Sequence, residues 1–586
     1  MSTVGIVGTA GTGGSGSSGD TGDTGGTGGT VRAVRGERAR PGGHRDAPLL
    51  DIEALTVADP RGRPVLDGLS LRVRSGEALG VVGESGSGKT TLAMALLGAL
   101  RPADGGAAAG LRITAGRVRV AGRDLAALSG RELRAVRRHT VGYLPQDPAG
   151  ALTPTMRVGA LIGELAPERS AQAVARTLES VGLPAGRDFL RRFPHELSGG
   201  QQQRLALGRL LAADPAVAVL DEPTTGLDVL TRRRVLDEIG RLAAERGLTL
   251  VFITHDLPAA ARLTDRLAVL RGGRLVEDGP VDEVLHRPRA AYTAELVRAV
   301  PDVAEAVRDR PDRSPAGGPS ARTAGGPAGA GPVLAVRGLR AGHGRGARRV
   351  TTAAGVSFAV ARGECVALLG ASGTGKTTLV RCLSGHHRPD QGVVELAGAP
   401  VAPRLRDRSV AQRRWVQLIA QDATGSLNPR RTVAAAIARP LRVLRGLDRD
   451  AAAGETRRLL GLVGLSAECA DRLPGGLSGG QRQRVALARA LAAGPEVLLC
   501  DEITASLDVR VQAEILRLLA ELRRDLGLGL LLVSHDLGVV ARLADRVLVL
   551  DRGGVVEDGP AAEVLGAPRH AWTREVVAAA PRLTPG

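Results

Sequence analysis

The sequence predicts an α/β protein built twice over, two tandem units in one chain, each organised around a parallel sheet. Three observations carry this. A nine-residue glycine-rich loop occurs at Gly83-Glu-Ser-Gly-Ser-Gly88-Lys89-Thr90-Thr91 and again at Gly370-Ala-Ser-Gly-Thr-Gly375-Lys376-Thr377-Thr378. Leu-Ser-Gly-Gly-Gln (197–201, 477–481), Asp-Glu after an apolar run (221–222, 501–502) and Ser/Thr-His-Asp (254–256, 534–536) all recur at an offset of 280 residues. Such self-similarity marks a repeat. Within each copy, apolar runs of strand length alternate with helix-patterned segments, as expected of parallel strands buried on both faces.

The elements follow in order. Residues 1–46 are Gly/Thr/Ser-rich and then Arg-rich, too polar to bury a core, and read as a disordered tail. Residues 47–300 form the first unit. In it Ala78–Val82 reads as a strand entering the glycine loop and Thr91–Leu100 as the helix after it. Val217–Leu220 reads as a strand, Arg232–Ala244 as a helix and Thr249–Ile253 as a further strand. Residues 301–331, rich in Pro, Gly and Ala, read as a linker. Residues 332–586 repeat the first unit.

Composition excludes several classes. The net charge of +18 is spread along the chain as single arginines, and only two of the 79 cations are lysine. Two Trp, two Tyr and four Phe supply a poor stacking platform for single-stranded nucleic acid, so no nucleic-acid partner is expected. The four cysteines, Cys365, Cys382, Cys469 and Cys500, form no Cys-x-x-Cys pair, which argues against zinc or iron–sulfur sites and fits a reducing compartment. The longest apolar candidates, such as Leu526–Val533, have strand length, so no membrane span is expected. The N-terminus lacks a secretory signal pattern.

The two lysines, Lys89 and Lys376, each close one glycine loop. A compact ammonium on a flexible stem survives there because it must reach phosphate. The glycines let backbone N–H groups cradle phosphate oxygens at a helix N-terminus, and Thr90 and Thr377 offer a hydroxyl to Mg²⁺. Asp221 and Asp501 end apolar strands, where a carboxylate holds Mg²⁺ directly or through water. Glu222 and Glu502 follow and can accept a proton from attacking water. His255 and His535 end the next strand, on the sheet edge where ligands bind. There an imidazole can stabilise charge developing on a phosphate.

Walker A loop, glutamine, Leu-Ser-Gly-Gly-Gln, Asp-Glu and His, in this order and twice over, resemble the ATP-binding-cassette ATPases across about nine tenths of the chain. The resemblance implies two P-loop NTPase cassettes. Each would carry a parallel-sheet core, an antiparallel β subdomain and a helical signature subdomain. It implies ATP and Mg²⁺ as ligands. ATP would contact Gly83, Ser85, Gly86, Gly88, Lys89, Thr90, Thr91 and Gln146 in one site, and Gly370, Ser372, Gly373, Gly375, Lys376, Thr377, Thr378 and Gln421 in the other. A head-to-tail sandwich is implied, with Ser478, Gly479, Gly480 and Gln481 covering ATP on the Lys89 loop. Ser198, Gly199, Gly200 and Gln201 would cover ATP on the Lys376 loop. Mg²⁺ would be held by Thr90, Gln146 and Asp221, and by Thr377, Gln421 and Asp501. Asp228 and Asp508 would bridge the two sites.

A narrower resemblance points to the oligopeptide, dipeptide and nickel importers. It rests on Gln421-Asp-Ala-Thr-Gly-Ser-Leu-Asn428-Pro429, the looser Gln146-Asp-Pro-Ala-Gly-Ala-Leu-Thr-Pro154, Phe193-Pro-His-Glu-Leu-Ser-Gly-Gly, and Pro288-Arg-Ala-Ala-Tyr292-Thr293 echoed by Pro568-Arg-His-Ala-Trp572-Thr573. It implies an ATPase motor on the cytoplasmic face of the plasma membrane, peripheral to two transmembrane permease subunits, with an extracellular solute-binding protein. The alternative is a soluble double cassette acting on the ribosome, a group whose linker is usually long, charged and helical. Asp59 and His343 stand where the family stacks adenine on an aromatic, and Ile503 stands where proline is usual.

Overall fold

A computed structural model describes residues 48–100, 110–147, 150–168, 170–301, 303–308, 331–344, 349–504 and 507–580. The tail read over 1–46 and most of the linker read over 301–331 lie outside the described residues.

Each half carries two sheets. In the first, the antiparallel sheet runs in the order Pro64–Val73, Leu50–Ala58, Arg112–Val120, Arg123–Asp124. The six-stranded sheet runs Arg274–Pro280, Arg266–Arg271, Ala78–Gly83, Thr249–Thr254, Val217–Asp221, Val141–Leu144. All its pairings are parallel except the outermost, Arg274–Pro280 on Arg266–Arg271. The second half repeats both sheets, with Cys365–Gly370 at the position of Ala78–Gly83 and Val497–Asp501 at that of Val217–Asp221. Strands 78–83, 217–221 and 249–254 are buried at every residue, as their unbroken apolar runs require.

A helical group stands beside each six-stranded sheet. In the first half it holds Val158–Gly163, Ala171–Ser180 and Gly199–Ala212. In the second it holds Val433–Arg445, Arg449–Leu462 and Gly479–Ala492. The helices Gly199–Ala212 and Gly479–Ala492 open directly on the Leu-Ser-Gly-Gly-Gln segments. Ser198 and Ser478 are their N-caps, each closing a capping box with the glutamine three residues on.

Element ends differ from the sequence reading for local reasons. The helix read as 91–100 spans Lys89–Leu96, because Gly88 in the left-handed region starts it and Gly98, also left-handed, follows its end. The helix read as 232–244 spans Val229–Arg246: Asp228 caps it by accepting from the Thr231 amide, and Gly247 closes it in the left-handed region. The start of the segment read as linker is itself a helix, Val303–Arg308. Its Val303, Ala306 and Val307 pack against the core of the second half.

The halves touch through matched elements. Val229, at the start of the helix after Asp228, is buried in the core cluster of the second half. Arg234 pairs with Glu575 at 3.2 Å, and Arg233 donates to the Ala578 carbonyl at 3.1 Å. No helix among the described residues is long and apolar enough to cross a membrane.

Candidate active site

Each phosphate loop joins the central strand of the six-stranded sheet to a helix. Gly83 and Gly370 have φ of 153° and 157°, and a Cβ on either would lie 2.2 or 2.5 Å from a strand carbonyl, Leu270 or Leu550. Gly88 and Gly375 lie at φ 99° and 100°; a Cβ on Gly375 would meet the Thr352 carbonyl at 1.8 Å. The loop conformation therefore requires glycine at both positions. Gly86 and Gly373 face open space.

Lys89 is 7% exposed. Its Nζ donates to the carbonyls of Gly83 (2.7 Å) and Glu84 (2.8 Å), spanning its own loop. Lys376 does the same to Gly370 (2.7 Å) and Ala371 (2.9 Å). Burial pulls both ammonium groups below the usual lysine range. The carboxylates around each oppose that: Glu222, Asp221 and Asp508 at Lys89, and Glu502, Asp228 and Asp501 at Lys376. In each site one of those acids comes from the other half.

Asp221 is 2% exposed at the end of its strand. Burial raises its pKa, while hydrogen bonds from Thr90 and Tyr143 act the other way. The Tyr143 hydroxyl lies 3.3 Å from Asp221 Oδ2. At the matching place in the second half stands Leu418, and burial together with the neighbouring Glu502 charge pushes Asp501 up to about 6. Thr90, Asp221 and Gln146, like Thr377, Asp501 and Gln421, are hard oxygen donors, the set that suits Mg²⁺.

Glu222 and Glu502 adopt φ of 49° and 51°, rare for residues with a side chain. Each backbone N–H donates to the next strand, to Ile253 O (2.8 Å) and Val533 O (3.0 Å), which fixes the bend. The bend turns each carboxylate toward a histidine and a glutamine. His255 Nδ1 stands 2.9 Å from Glu222, and Gln146 Nε2 donates to it at 3.2 Å. His535 Nδ1 stands 3.4 Å from Glu502, and Gln421 Nε2 donates at 2.6 Å. Burial raises the Glu222 pKa, but His255, Thr225 and Lys89 outweigh it and hold the carboxyl below its ordinary value. The hydrogen bond from His535 does the same for Glu502.

The structure thus brings loop lysine, aspartate, glutamate, glutamine and histidine together in both halves. The other half supplies an aspartate. Asp228 Oδ2 accepts from Ser372 Oγ at 3.5 Å. Ser198 and Ser478 are exposed and bonded within their own helix caps. Among the described residues no hydrogen bond joins the signature segments to the opposite phosphate loops.

The sequence reading gave two groups no role at the site, Tyr143 and Tyr292, the latter quoted only within a family motif. Tyr143 lies three residues before Gln146 and offers no spacing signal. Tyr292 is 3% exposed, and its hydroxyl accepts from the Glu84 amide at 3.2 Å, tying the helix Ala291–Ala299 to the first phosphate loop. The two positions expected to face adenine differ between the halves. Asp59 accepts from the Arg61 and Arg63 amides, both at 2.9 Å, and pairs with the Arg63 guanidinium, so it closes a turn. His343 stands beside His387, ring centroids 4.7 Å apart, and lies 2.9 Å from Thr378 Oγ1.

A protein-family model described as ABC transporter matches residues 66–225 and 353–505. A second, described as oligopeptide/dipeptide transporter, C-terminal region, matches residues 276–326. The glutathione import ATP-binding protein GsiA of Salmonella paratyphi A is 36% identical over 569 residues, covering 92% of this chain and 90% of that protein. GsiA of Escherichia coli K12 is 36% identical over 562 residues with the same coverage. Among solved structures, a dimeric bacterial ABC transporter cassette is 27% identical, covers 39% of this chain and 98% of its own, and has a TM-score of 0.36.

Proposed function

The chain belongs to the ABC transporter family, and on that premise we propose that it is the double-cassette ATPase driving an importer of di- or oligopeptides or a related small solute. The match over residues 276–326 to the oligopeptide/dipeptide transporter C-terminal region supports the solute class, and Tyr292 in that segment accepts from the first phosphate loop. The GsiA relatives are named for glutathione import, itself a small peptide, and they cover nearly the whole chain.

The proposed chemistry follows from the geometry. Lys89 and Lys376, held over their loops by carbonyls, exchange those bonds for the β- and γ-phosphates of ATP. Thr90, Asp221 and Gln146 would hold Mg²⁺ in one site, and Thr377, Asp501 and Gln421 in the other, and the bound ion would neutralise charge on the transferred phosphoryl group. Glu222 and Glu502, ionised at neutral pH, accept the proton of the attacking water, and His255 and His535 orient them. Ser198 with Gly199, Gly200 and Gln201, and Ser478 with Gly479, Gly480 and Gln481, close over the opposite nucleotide, backed by helix N-termini that favour anions. Two transmembrane permease subunits at the cytoplasmic face and an extracellular solute-binding protein complete the importer.

Affinity purification of the tagged chain from gently solubilised membranes of its own cell tests this. Co-purification of two multi-span subunits, with ATPase activity stimulated by a loaded solute-binding protein and a peptide, is the expected result. Recovery of ribosomal proteins without such subunits overturns it.

A further inference from the structure

We infer that Arg510 of the second cassette is a positioning residue for the first phosphate loop, which makes the two nucleotide sites unequal in their response to cassette apposition. Arg510 lies two residues beyond Asp508, in the first turn of the helix Val509–Leu526. Its Nη1 donates to Glu84 Oε1 at 2.9 Å and stands 3.5 Å from Glu295 Oε2. Its guanidinium carbon is 6.0 Å from the centre of the Tyr292 ring.

Glu84 is the second residue of the loop and is held at every polar group. Its amide donates to Tyr292, its carbonyl accepts from Lys89, and its carboxylate accepts from Arg510. The first two contacts lie within the first cassette. The third crosses the interface, so it exists only while the cassettes are apposed. A loop whose first residues are pinned presents its amides to phosphate with less ordering cost. Apposition therefore favours nucleotide on the Lys89 loop, and by linkage nucleotide there favours apposition.

Among the described residues the second phosphate loop has no matching ion pair to the opposite cassette. Counted along the repeat, Ala371 replaces Glu84, Leu230 replaces Arg510 and Trp572 replaces Tyr292. Leu230 and Trp572 pack against the apolar core of the second cassette. Trp572 Nε1 is buried without a hydrogen-bond partner, where Tyr292 takes the Glu84 amide. Both junctions carry an ion pair, Arg234–Glu575 at the second, but only at the first does one end on a phosphate-loop residue, so only there does salt act on the loop itself.

The inference rests on reading the Lys89 loop as a nucleotide site, and the test separates the two. A fluorescent ATP analogue is titrated into the full chain in a Lys376→Ala background, which leaves the first site, and in a Lys89→Ala background, which leaves the second. At low salt, Arg510→Ala is expected to weaken binding roughly two- to five-fold in the first background, the range of a partly exposed ion pair. Arg510→Lys recovers most of that loss. Glu84→Gln produces a similar loss, and the double variant adds little to it. About 0.5 M NaCl shrinks the wild-type advantage. Neither the Arg510 nor the Glu84 substitution moves binding in the Lys89→Ala background. Equal losses in both backgrounds, or additive losses for Arg510→Ala and Glu84→Gln, overturn the inference while leaving the nucleotide sites in place. No binding in the otherwise wild-type Lys376→Ala background overturns the nucleotide reading of the Lys89 loop and this inference with it.

Discussion

Asp228 serves two masters: one carboxylate oxygen caps its own helix through the Thr231 amide at 3.0 Å, and the other accepts from Ser372 of the opposite phosphate loop at 3.5 Å. The two roles separate by substitution. Asp228→Ala removes both and is expected to cost about 1 kcal/mol in urea unfolding through the lost cap. Asp228→Asn keeps a good cap, so its stability stays within a few tenths of a kcal/mol of wild type. Asn nonetheless removes the charge that Asp228 places near Lys376. Nucleotide affinity at the second site then changes in both variants, whereas stability changes in one.

If Glu222 and Glu502 are the general bases proposed above, their loss stops hydrolysis without stopping binding. Glutamine keeps the size and one hydrogen-bond acceptor but cannot take a proton from water. The double variant Glu222→Gln with Glu502→Gln is expected to bind ATP and to lose turnover by about 10²-fold or more, the usual share of a general base. Phosphate release near the wild-type rate in that variant removes both residues from the role.

Lys376→Arg keeps the charge and is still expected to weaken the second site. The ammonium fits a buried place where two carbonyls converge at 2.7 and 2.9 Å. A planar guanidinium is wider and aims its donors in a fixed fork. ATP titration of Lys376→Arg in a Lys89→Ala background is expected to show a loss of about tenfold. Unchanged affinity means that lysine is there for reasons other than phosphate.

Much of the site was legible because its chemistry demands given residue types at short spacing. The loops, the Asp-Glu pairs and the two histidines all read directly. The partners that close on them did not. Tyr143 reaches Asp221 across 78 residues of chain, Tyr292 reaches Glu84 across 208, and Arg510 reaches Glu84 across 426. No local pattern announces such meetings; the sheet order makes them. The helix Val303–Arg308 was hidden for a related reason. Six residues do not hold a helix alone, and this one exists through packing on the second cassette.

The Glu222–His255 pair should contribute most to the stability of the nucleotide-free protein on the acid side of neutral. Burial, the largest influence on His255, lowers its pKa, but the hydrogen bond and charge of Glu222 together lift it above the ordinary 6.5. A raised histidine stabilises below its unfolded pKa and loses that contribution as pH rises through its folded value. Glu222 lies below its ordinary 4.5, so its contribution is lost only as pH falls through that depressed value. The pair is strongest between about pH 4.5 and 6.5. Urea midpoints of wild type and His255→Gln are expected to differ most in that window and to converge as pH rises beyond it. A gap that grows above pH 7 shows that burial, not Glu222, governs His255.

Gly538 marks the place where the chain leaving the first cassette rests on the second. It is three residues beyond His535, in the helix Leu537–Leu543. A Cβ there would lie 2.6 Å from both Cβ and Cγ of Pro301, and 3.0 Å from its carbonyl oxygen. The first cassette has Pro258 at the matching position, so the small residue belongs to this contact and not to the repeat. Gly538→Ala must push Pro301 away or bend the helix after His535. Alanine favours the helix by up to about 1 kcal/mol, while overpacking costs about 1–3 kcal/mol, so the net change is destabilising. Displaced Pro301 also carries the helix Val303–Arg308 off the second cassette. Trypsin is therefore expected to cut at Arg298 or Arg308 several-fold faster in Gly538→Ala than in wild type. Pro301→Gly in the same chain relieves the clash and restores part of the urea midpoint. A variant as stable and as protease-resistant as wild type shows that Pro301 and the helix Val303–Arg308 move aside without cost.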